Sequence, residues 1–537
     1  MLDSAAFFTA LCEALTPSAL TLTCIFAIIG YLLVPDAKLR AVSHLPTPKS
    51  SLPILFNMLD LMFTYKGRLY DFLLDNSRLN DGKPWRMKVP GRPVTIVICN
   101  PEAYEDLLKT KFDDYGKGEM QHRNMEDILG NGIFAVDGML WMHQRKVGSH
   151  LFSLQMMRDT MEHVVREYVA KVNNHLEQVY KNNEEVNFKR LLDLFTLDVF
   201  IKIGFGVDLK GVETNTNGPF MDAFERASMN MLVRSTEALA IWPLKKWLNI
   251  GSEKQNKKDM KVINDFVYRI IERSMENTRK KREATASGSA LPTAAPAKDL
   301  VSLFLEKEQT EYANGETVKT DPKFIRDMTI AFLTAGRDTT SQSMSWFVIF
   351  LNRYPHVLKK IRAEIKEKLP NLANGTTLIP SMDDVAQLTY LEAALRENLR
   401  LNPVLPLNIR MALRDTTLYD GTVIKEGTRF IFPHYAMGRL ERNWGPDAAE
   451  FKPERWIDPD TGKIIQVSPF KFTTFNSGPR MCLGMKFAFM ELKITMASIL
   501  SKFEVTTVRD PFSYEYLATA TLSIKGPLNV KVKSLDA

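Results

Sequence analysis

Cysteine is scarce. The 537 residues hold four, Cys12, Cys24, Cys99 and Cys482, and no C-x-x-C pair. That argues against zinc and dithiol chemistry and suits a reducing compartment. Basic blocks are missing too: the net charge of +7 is spread along the chain, with no run of the kind that binds nucleic acid. An acidic protein or an anionic membrane remains as a partner for that excess. No internal repeat divides the chain and only one stretch is of low complexity, so its length does not imply several domains. No nicotinamide or flavin motif is present, so electrons for any redox reaction must come from another protein.

Residues 1–13 contain no Lys or Arg, only Asp3 and Glu13. A cleaved signal peptide needs a basic start, which is absent. The 22 residues from Ala14 to Pro35 carry no charge and are mostly apolar, long enough to cross a bilayer. Lys38 and Arg40 follow, which places the downstream bulk in the cytosol. The expected organisation is a membrane anchor over 1–36, a hinge over 37–50 stiffened by Pro46 and Pro48, and one domain over 51–537.

Cys482 organises that domain. It lies in Pro469-Phe-Lys-Phe-Thr-Thr-Phe-Asn-Ser-Gly-Pro-Arg-Met-Cys-Leu-Gly-Met485. A cysteine thiolate can hold a haem iron and push electron density into it. Gly478 permits a turn close to a flat ring, where a Cβ would collide. Arg480 can reach a ring carboxylate. Gly484 opens a helical run from Met485 to Phe503, whose first N–H groups can stabilise the thiolate.

Phe475, Gly478, Arg480, Cys482 and Gly484 fill every fixed position of F-x-x-G-x-R-x-C-x-G, so the chain resembles the cytochrome P-450 family. The resemblance implies a mainly α (α+β) fold, a helical haem domain with a small β-rich part. It implies haem b with Cys482 as axial iron ligand. Trp141 and Arg145, four apart on one helix face, match a W-x-x-x-R pair that reaches the haem propionates. Arg410 occupies the place of a further propionate partner. Val404, Leu405 and Ala520 fall where substrate is lined. Residues 115–138 hold five glycines and no clear periodicity, and read as a mobile loop over the pocket.

Asp321 and Pro322 signal a helix start, and the helix is expected to run to about Arg353, before Pro355. Its centre, Ala335-Gly-Arg-Asp-Thr-Thr-Ser-Gln-Ser343, is polar between apolar flanks. A buried helix that turns polar in its middle marks a functional site. O2 activation consumes protons with bulk water held back; Thr339 can hydrogen-bond the oxygen or a water beside it, and Asp338 can relay protons from solvent. Gly336 permits close approach. These residues match the family motif A-G-x-D/E-T, and Phe332 and Ala335 are expected at the pocket. Glu397 and Arg400, three apart, match E-x-x-R; Arg455 in Phe451-Lys-Pro-Glu-Arg455 supplies the third member of a structural triad.

The expected activity is therefore that of a membrane-anchored haem-thiolate monooxygenase at the endoplasmic reticulum. It would use O2 and NADPH-derived electrons from NADPH–cytochrome P-450 reductase, docked near Arg145 and Lys486, on a hydrophobic small molecule. Ala335-Gly-Arg-Asp-Thr-Thr340, Gly132-Ile-Phe-Ala-Val-Asp-Gly138 and Asn408-Ile-Arg-Met-Ala412 resemble the fatty-acid and alkane terminal-hydroxylating branch. That suggests a long-chain fatty acid, with Lys117, His122 and Arg123 as candidate carboxylate anchors. Sterols, alkanes and foreign compounds are the competing substrates. A hydroperoxide isomerase or dehydratase is disfavoured by the intact Asp338-Thr339 pair, and a haem or gas sensor by the lack of a signalling module.

Overall fold

In a computed structural model of the protein, the Asp321 carboxylate accepts from the Lys323 N–H at 2.9 Å and Pro322 takes the first turn. The helix that starts there runs over Pro322–Arg353 and stops two residues before Pro355, as expected. The structure describes residues 36–214, 218–236, 241–286 and 321–535. The expected anchor, Cys12, Cys24 and most of the low-complexity stretch, from residue 287 on, lie outside them. Among the described residues no helix is long and apolar enough to cross a membrane.

The longer helices in chain order are α1 (Leu69–Leu79), α2 (Gly118–Leu129), α3 (Gly138–Leu151), α4 (Glu162–Lys181), α5 (Phe188–Phe205), α6 (Pro219–Thr236), α7 (Ile241–Leu248), α8 (Gly251–Ala286), α9 (the central Pro322–Arg353), α10 (Pro355–Lys368), α11 (Thr389–Leu401) and α12 (Met485–Lys502). The strands are β1 (Trp85–Met87), β2 (Thr95–Val97), β3 (Tyr115–Gly116), β4 (Glu185–Asn187), β5 (Asn408–Ala412), β6 (Thr416–Thr417), β7 (Val423–Ile424), β8 (Arg429–Phe432), β9 (Phe503–Thr507), β10 (Tyr516–Ala518), β11 (Leu522–Ile524) and β12 (Asn529–Ser534). The fold is mainly helical with small sheets, as the sequence predicts. One sheet has the order β1-β2-β8-β5-β3, with β2 and β8 parallel and the other pairs antiparallel.

α9 is buried along most of its length because α5, α11 and α12 pack around it. A run such as Leu191 to Ile201 in α5 is buried on every side, so it shows no amphipathic stripe and reads simply as apolar. The hydroxyls of α9 do not disrupt it. Thr334, Thr339, Ser343 and Ser345 each donate to the carbonyl four residues back, at 2.7, 2.7, 2.8 and 2.8 Å.

Residues 115–138 are not the irregular loop expected. They contain β3 and the three-turn α2. The buried stripe of α2 is Gln121, Asn124, Met125, Ile128 and Leu129, at helical spacing. Two of its five members are amides, which hides the apolar period in the sequence. Gly211–Thr214 forms one helical turn. The expected hinge is docked on the sheet side of the domain: Val42 is fully buried and the Arg86 Nε donates to the Leu45 carbonyl at 3.0 Å.

Candidate active site around Cys482

The Cys482 loop is closed by its own backbone. The Cys482 N–H donates to the Phe475 carbonyl at 2.8 Å, and Asn476 takes φ 60° to make the turn. Gly478 has φ +65°, and a Cβ there would lie 2.0 Å from the Leu108 carbonyl oxygen. Glycine is therefore required by that carbonyl. Gly484 stands at the head of α12 and its N–H points to the Cys482 sulfur. Burial pushes the Cys482 thiol up, while that N–H and Arg145 pull it back down. The residue is nonetheless exposed.

Cations crowd the same region. Trp141 is buried between two guanidinium groups, Arg480 at 4.4 Å and Arg145 at 5.8 Å from its ring centre. Arg145 donates to the Met481 carbonyl at 2.8 Å, which ties α3 to the loop. Arg480 donates to the Val136 carbonyl at 3.0 Å and pairs with Asp137, but its Nε has no partner. Arg410 is fully buried on β5; burial and the nearby Arg480 pull it down to about 9. Burial, Arg410 and Arg480 likewise push Lys117 far below the ordinary lysine value, with only Asp137 opposing. His434, beside Arg410, is held at about 3 by burial and that charge, so it is neutral.

Three desolvated cations sharing one carboxylate leave an unmet demand for negative charge. A haem brings two propionates and an iron that accepts a thiolate. The exposed Cys482 thiol, the Arg480 Nε with no partner among the described residues and the surplus positive charge all fit that group.

On α9 a stripe of partly exposed residues, Thr334, Ala335, Asp338 and Thr339, interrupts the buried surface. Phe152 connects α9 to the Cys482 loop. Its ring lies 3.3 Å from where a Gly484 Cβ would sit and 6.2 Å, centre to centre, from Phe332. Burial raises Asp338, and Arg337, 3.3 Å away, opposes it. A polar route starts at Ser341, which meets the Asp338 main-chain carbonyl at 3.4 Å and donates to Asp193 at 2.7 Å; Asp193 pairs with Lys189 at 3.2 Å. Lys189 retains 18% of its side-chain exposure, so the route ends near solvent.

Glu397 is fully buried. It accepts from Arg400 at 2.7 and 2.8 Å, from Arg455 Nε at 2.9 Å, from Trp456 Nε1 at 2.9 Å and from the Lys452 N–H at 2.9 Å. Arg400 spends its remaining donors on the carbonyls of Gly438, Ala448 and Glu450. No charge in the group is left alone, which is the condition for burying it.

The cytochrome P450 family profile matches residues 46–530. The chain belongs to the cytochrome P450 family. It is 34% identical over 488 residues to cytochrome P450 704B1 of Arabidopsis thaliana, covering 87% of this chain and 91% of that one. It is 31% identical to cytochrome P450 94A2 of Vicia sativa, with 93% of each covered. Against cytochrome P450 704C1 of Pinus taeda the identity is 32%, covering 96% and 97%. Like other cytochromes P450, the protein is a monooxygenase that works with haem, O2 and electrons from a redox partner.

In this P450 the structure brings Cys482, Arg480, Trp141, Arg145 and Arg410 together, and groups Ala335, Asp338 and Thr339 on one stripe. Phe332 and Gly336, expected with them, turn to α5. A Cβ on Gly336 would lie 2.0 Å from the Phe200 ring, and Phe332 packs 5.3 Å from that ring, centre to centre. Val404 is buried, with its carbonyl accepting from the Leu522 N–H at 2.8 Å; Leu405 is exposed and Ala520 partly so. Of the candidate anchors, His122 pairs with Asn131 at 3.1 Å and Arg123 is exposed; only Lys117 joins the buried cations. Sequence reasoning missed Asp137, Asp193 and Trp456. Trp456 directly follows Arg455, the one signal that could have raised it; Asp137 and Asp193 have none short of the fold.

Proposed function

We propose that this P450 hydroxylates a long-chain fatty acid at or near its terminal carbon. Electrons come from NADPH–cytochrome P450 reductase, and residues 14–35 hold the protein at the endoplasmic reticulum membrane. The observation that carries the reading is the α9 stripe: Thr334, Asp338 and Thr339 are partly exposed on a helix that is otherwise buried along most of its length. The three motifs that resemble the terminal-hydroxylating branch support the substrate class.

The residues divide the work. Cys482 holds the haem b iron, and Arg480, Trp141, Arg145 and Arg410 hold the propionates. A haem so ligated supplies the iron that activates O2, its thiolate ligand favouring O–O cleavage. Thr339 donates to the Ala335 carbonyl at 2.7 Å, so its oxygen is oriented with lone pairs free to accept. Asp338 stores the proton: its raised affinity keeps the carboxyl protonated to higher pH than a surface aspartate. Lys189, Asp193 and Ser341 supply the path by which it is refilled. Glu397, Arg400 and Arg455 fix the pocket wall. Lys486, exposed at the head of α12, offers a positive charge to the reductase, whereas Arg145 is turned inward to the Met481 carbonyl.

Turnover with reductase, NADPH and a panel of fatty acids, alkanes and sterols tests the reading. Hydroxylated fatty acid with the oxygen at or beside the chain end is expected; product only from sterols or alkanes overturns it. Thr339→Ala should divert electrons to hydrogen peroxide, and unchanged coupling counts against its role.

A further inference from the structure

Arg337 stands between Gly336 and Asp338, at the one place that the A-G-x-D/E-T pattern leaves open, and the proton path above does not use it. It is buried on α9. Among the described residues its one ion pair is with its own neighbour: Nη1 lies 3.3 Å from Asp338 Oδ1, with side chains 6% and 19% exposed. Consecutive residues on a helix do not face each other. The guanidinium must therefore fold back along α9 to reach Asp338, and an outside contact has to hold it there. Phe224 of α6 supplies that contact, with its ring centre 5.4 Å from the guanidinium carbon. The backbone is fixed from α5, where Thr196 Oγ1 donates to the Arg337 carbonyl at 2.8 Å. Arg337 Nε and Nη1 have no hydrogen-bond partner among the described residues. Buried donors left without a partner cost stability, and a broken local rule of this kind marks a site kept for function.

The charges that act on Asp338 come from three helices. Asp193 and Lys189 face it from α5 and Glu225 from α6, besides Arg337 on α9 itself. From α12, Glu491 meets Thr340, two residues on, and burial pushes that carboxyl up to about 8. Lys189 is paired with Asp193 at 3.2 Å. Arg337 is the cation in contact with Asp338.

We propose that Arg337, held by Phe224, is a positioning residue for proton delivery: it keeps the Asp338 carboxyl in place and able to release its proton. The inference rests on the reading above in which Asp338 stores that proton. A guanidinium gives up no proton of its own, so Arg337 acts through Asp338. Its charge favours the carboxylate, which burial disfavours. Between the two, Asp338 can both take up a proton and pass it on. Phe224 touches neither the proton nor the substrate in this role; it fixes the guanidinium.

The test uses the full chain with haem bound. The carboxylic-acid C=O stretch of Asp338 is isolated by subtracting the infrared spectrum of the same protein carrying Asp338→Asn. It is followed with pH in the wild type, Arg337→Met and Arg337→Lys. Removing the cation should move the midpoint up by about one pH unit or more, and lysine should return most of that shift. In turnover with laurate, reductase and NADPH, the share of electrons lost to hydrogen peroxide should rise about threefold in Arg337→Met, since a weaker acid gives up its proton more slowly. In the Asp338→Asn background Arg337→Met should add nothing to that share, a result that general damage to α9 cannot mimic. An unmoved midpoint, or an equal rise in peroxide with and without Asp338, overturns the proposal. Should Arg337→Met fail to fold, Phe224→Leu loosens the guanidinium without removing it; a smaller upward shift supports the proposal and no shift overturns it. Asp338→Asn coupling as well as the wild type would instead refute the reading of Asp338 as proton store, and the proposal with it.

Discussion

Glu397→Gln removes one charge and almost no volume, so it isolates the electrostatics of the buried triad. In the wild type the carboxylate takes five hydrogen bonds, three of them from guanidinium groups, and Arg400 and Glu397 both have fully buried side chains. The amide retains one acceptor oxygen and brings an NH2 that faces donors. Arg400 is then left buried with three carbonyls and no counter-charge. Breaking a buried pair from one side costs roughly 3–5 kcal/mol. Against a total stability of roughly 5–15 kcal/mol, that is a large share. The control is Glu515→Gln, whose partner Lys525 lies 3.0 Å away with side chains 64% and 71% exposed; its loss should stay below about 1 kcal/mol. Urea unfolding followed by tryptophan fluorescence and by the Soret band gives both numbers by linear extrapolation. A Glu397→Gln cost below about 1 kcal/mol, equal to the surface control, would refute the reasoning.

Gly336→Ala should cost roughly 1–3 kcal/mol by overpacking Phe200, since the new Cβ would lie 2.0 Å from that ring. Adding Phe200→Leu should recover most of the loss in urea midpoint; no recovery would mean that the glycine abuts something else. Gly478→Ala meets the Leu108 carbonyl oxygen at 2.0 Å with φ +65°, whereas the nearest atom to a Gly484 Cβ is 3.3 Å away. The first should lose folded protein and the second should fold near wild-type yield, as judged by size exclusion; equal yields contradict the loop geometry. Glu491, fully buried on α12 near Thr340, is pushed up to about 8 by burial. Its folded state holds the proton more tightly than an unfolded glutamate with an ordinary value of about 4.3, so stability is full at low pH and falls as pH rises toward 8. The slope contributed is at most about 1.4 kcal/mol per pH unit. Glu491→Gln should flatten it in urea titrations from pH 5 to about 8.5; parallel curves would refute the assignment.

Much of the site was legible because its residues are bound to short spacings. The Cys482 decapeptide, the Trp141–Arg145 pair and the Asp321–Pro322 cap each lie within one turn or loop, where local chemistry dictates local shape. What failed was phase and partner. Gly336 shares a motif with Thr339, but helix rotation turns it to Phe200 on α5, and no local pattern reports what a neighbouring helix presents. α2 was missed because Gln121 and Asn124 fill core positions that the apolar period expects to be greasy. Lys117 is one of three candidate carboxylate anchors in the sequence, and nothing local sets it apart from His122 and Arg123 until Asn408 on β5, some three hundred residues on, accepts from its Nζ. The Glu397 triad was anticipated, while its Trp456 bond needed the fold.

The central claim is that the Cys482 sulfur ligates a haem iron beside these buried cations. The carbon monoxide difference spectrum of the dithionite-reduced protein tests it most directly, wild type beside Cys482→Ser. The wild type should show the red-shifted Soret band of a thiolate-ligated ferrous carbonyl, and the serine variant should lack it. A wild-type spectrum without that band, or a Cys482→Ser spectrum that keeps it, contradicts the account.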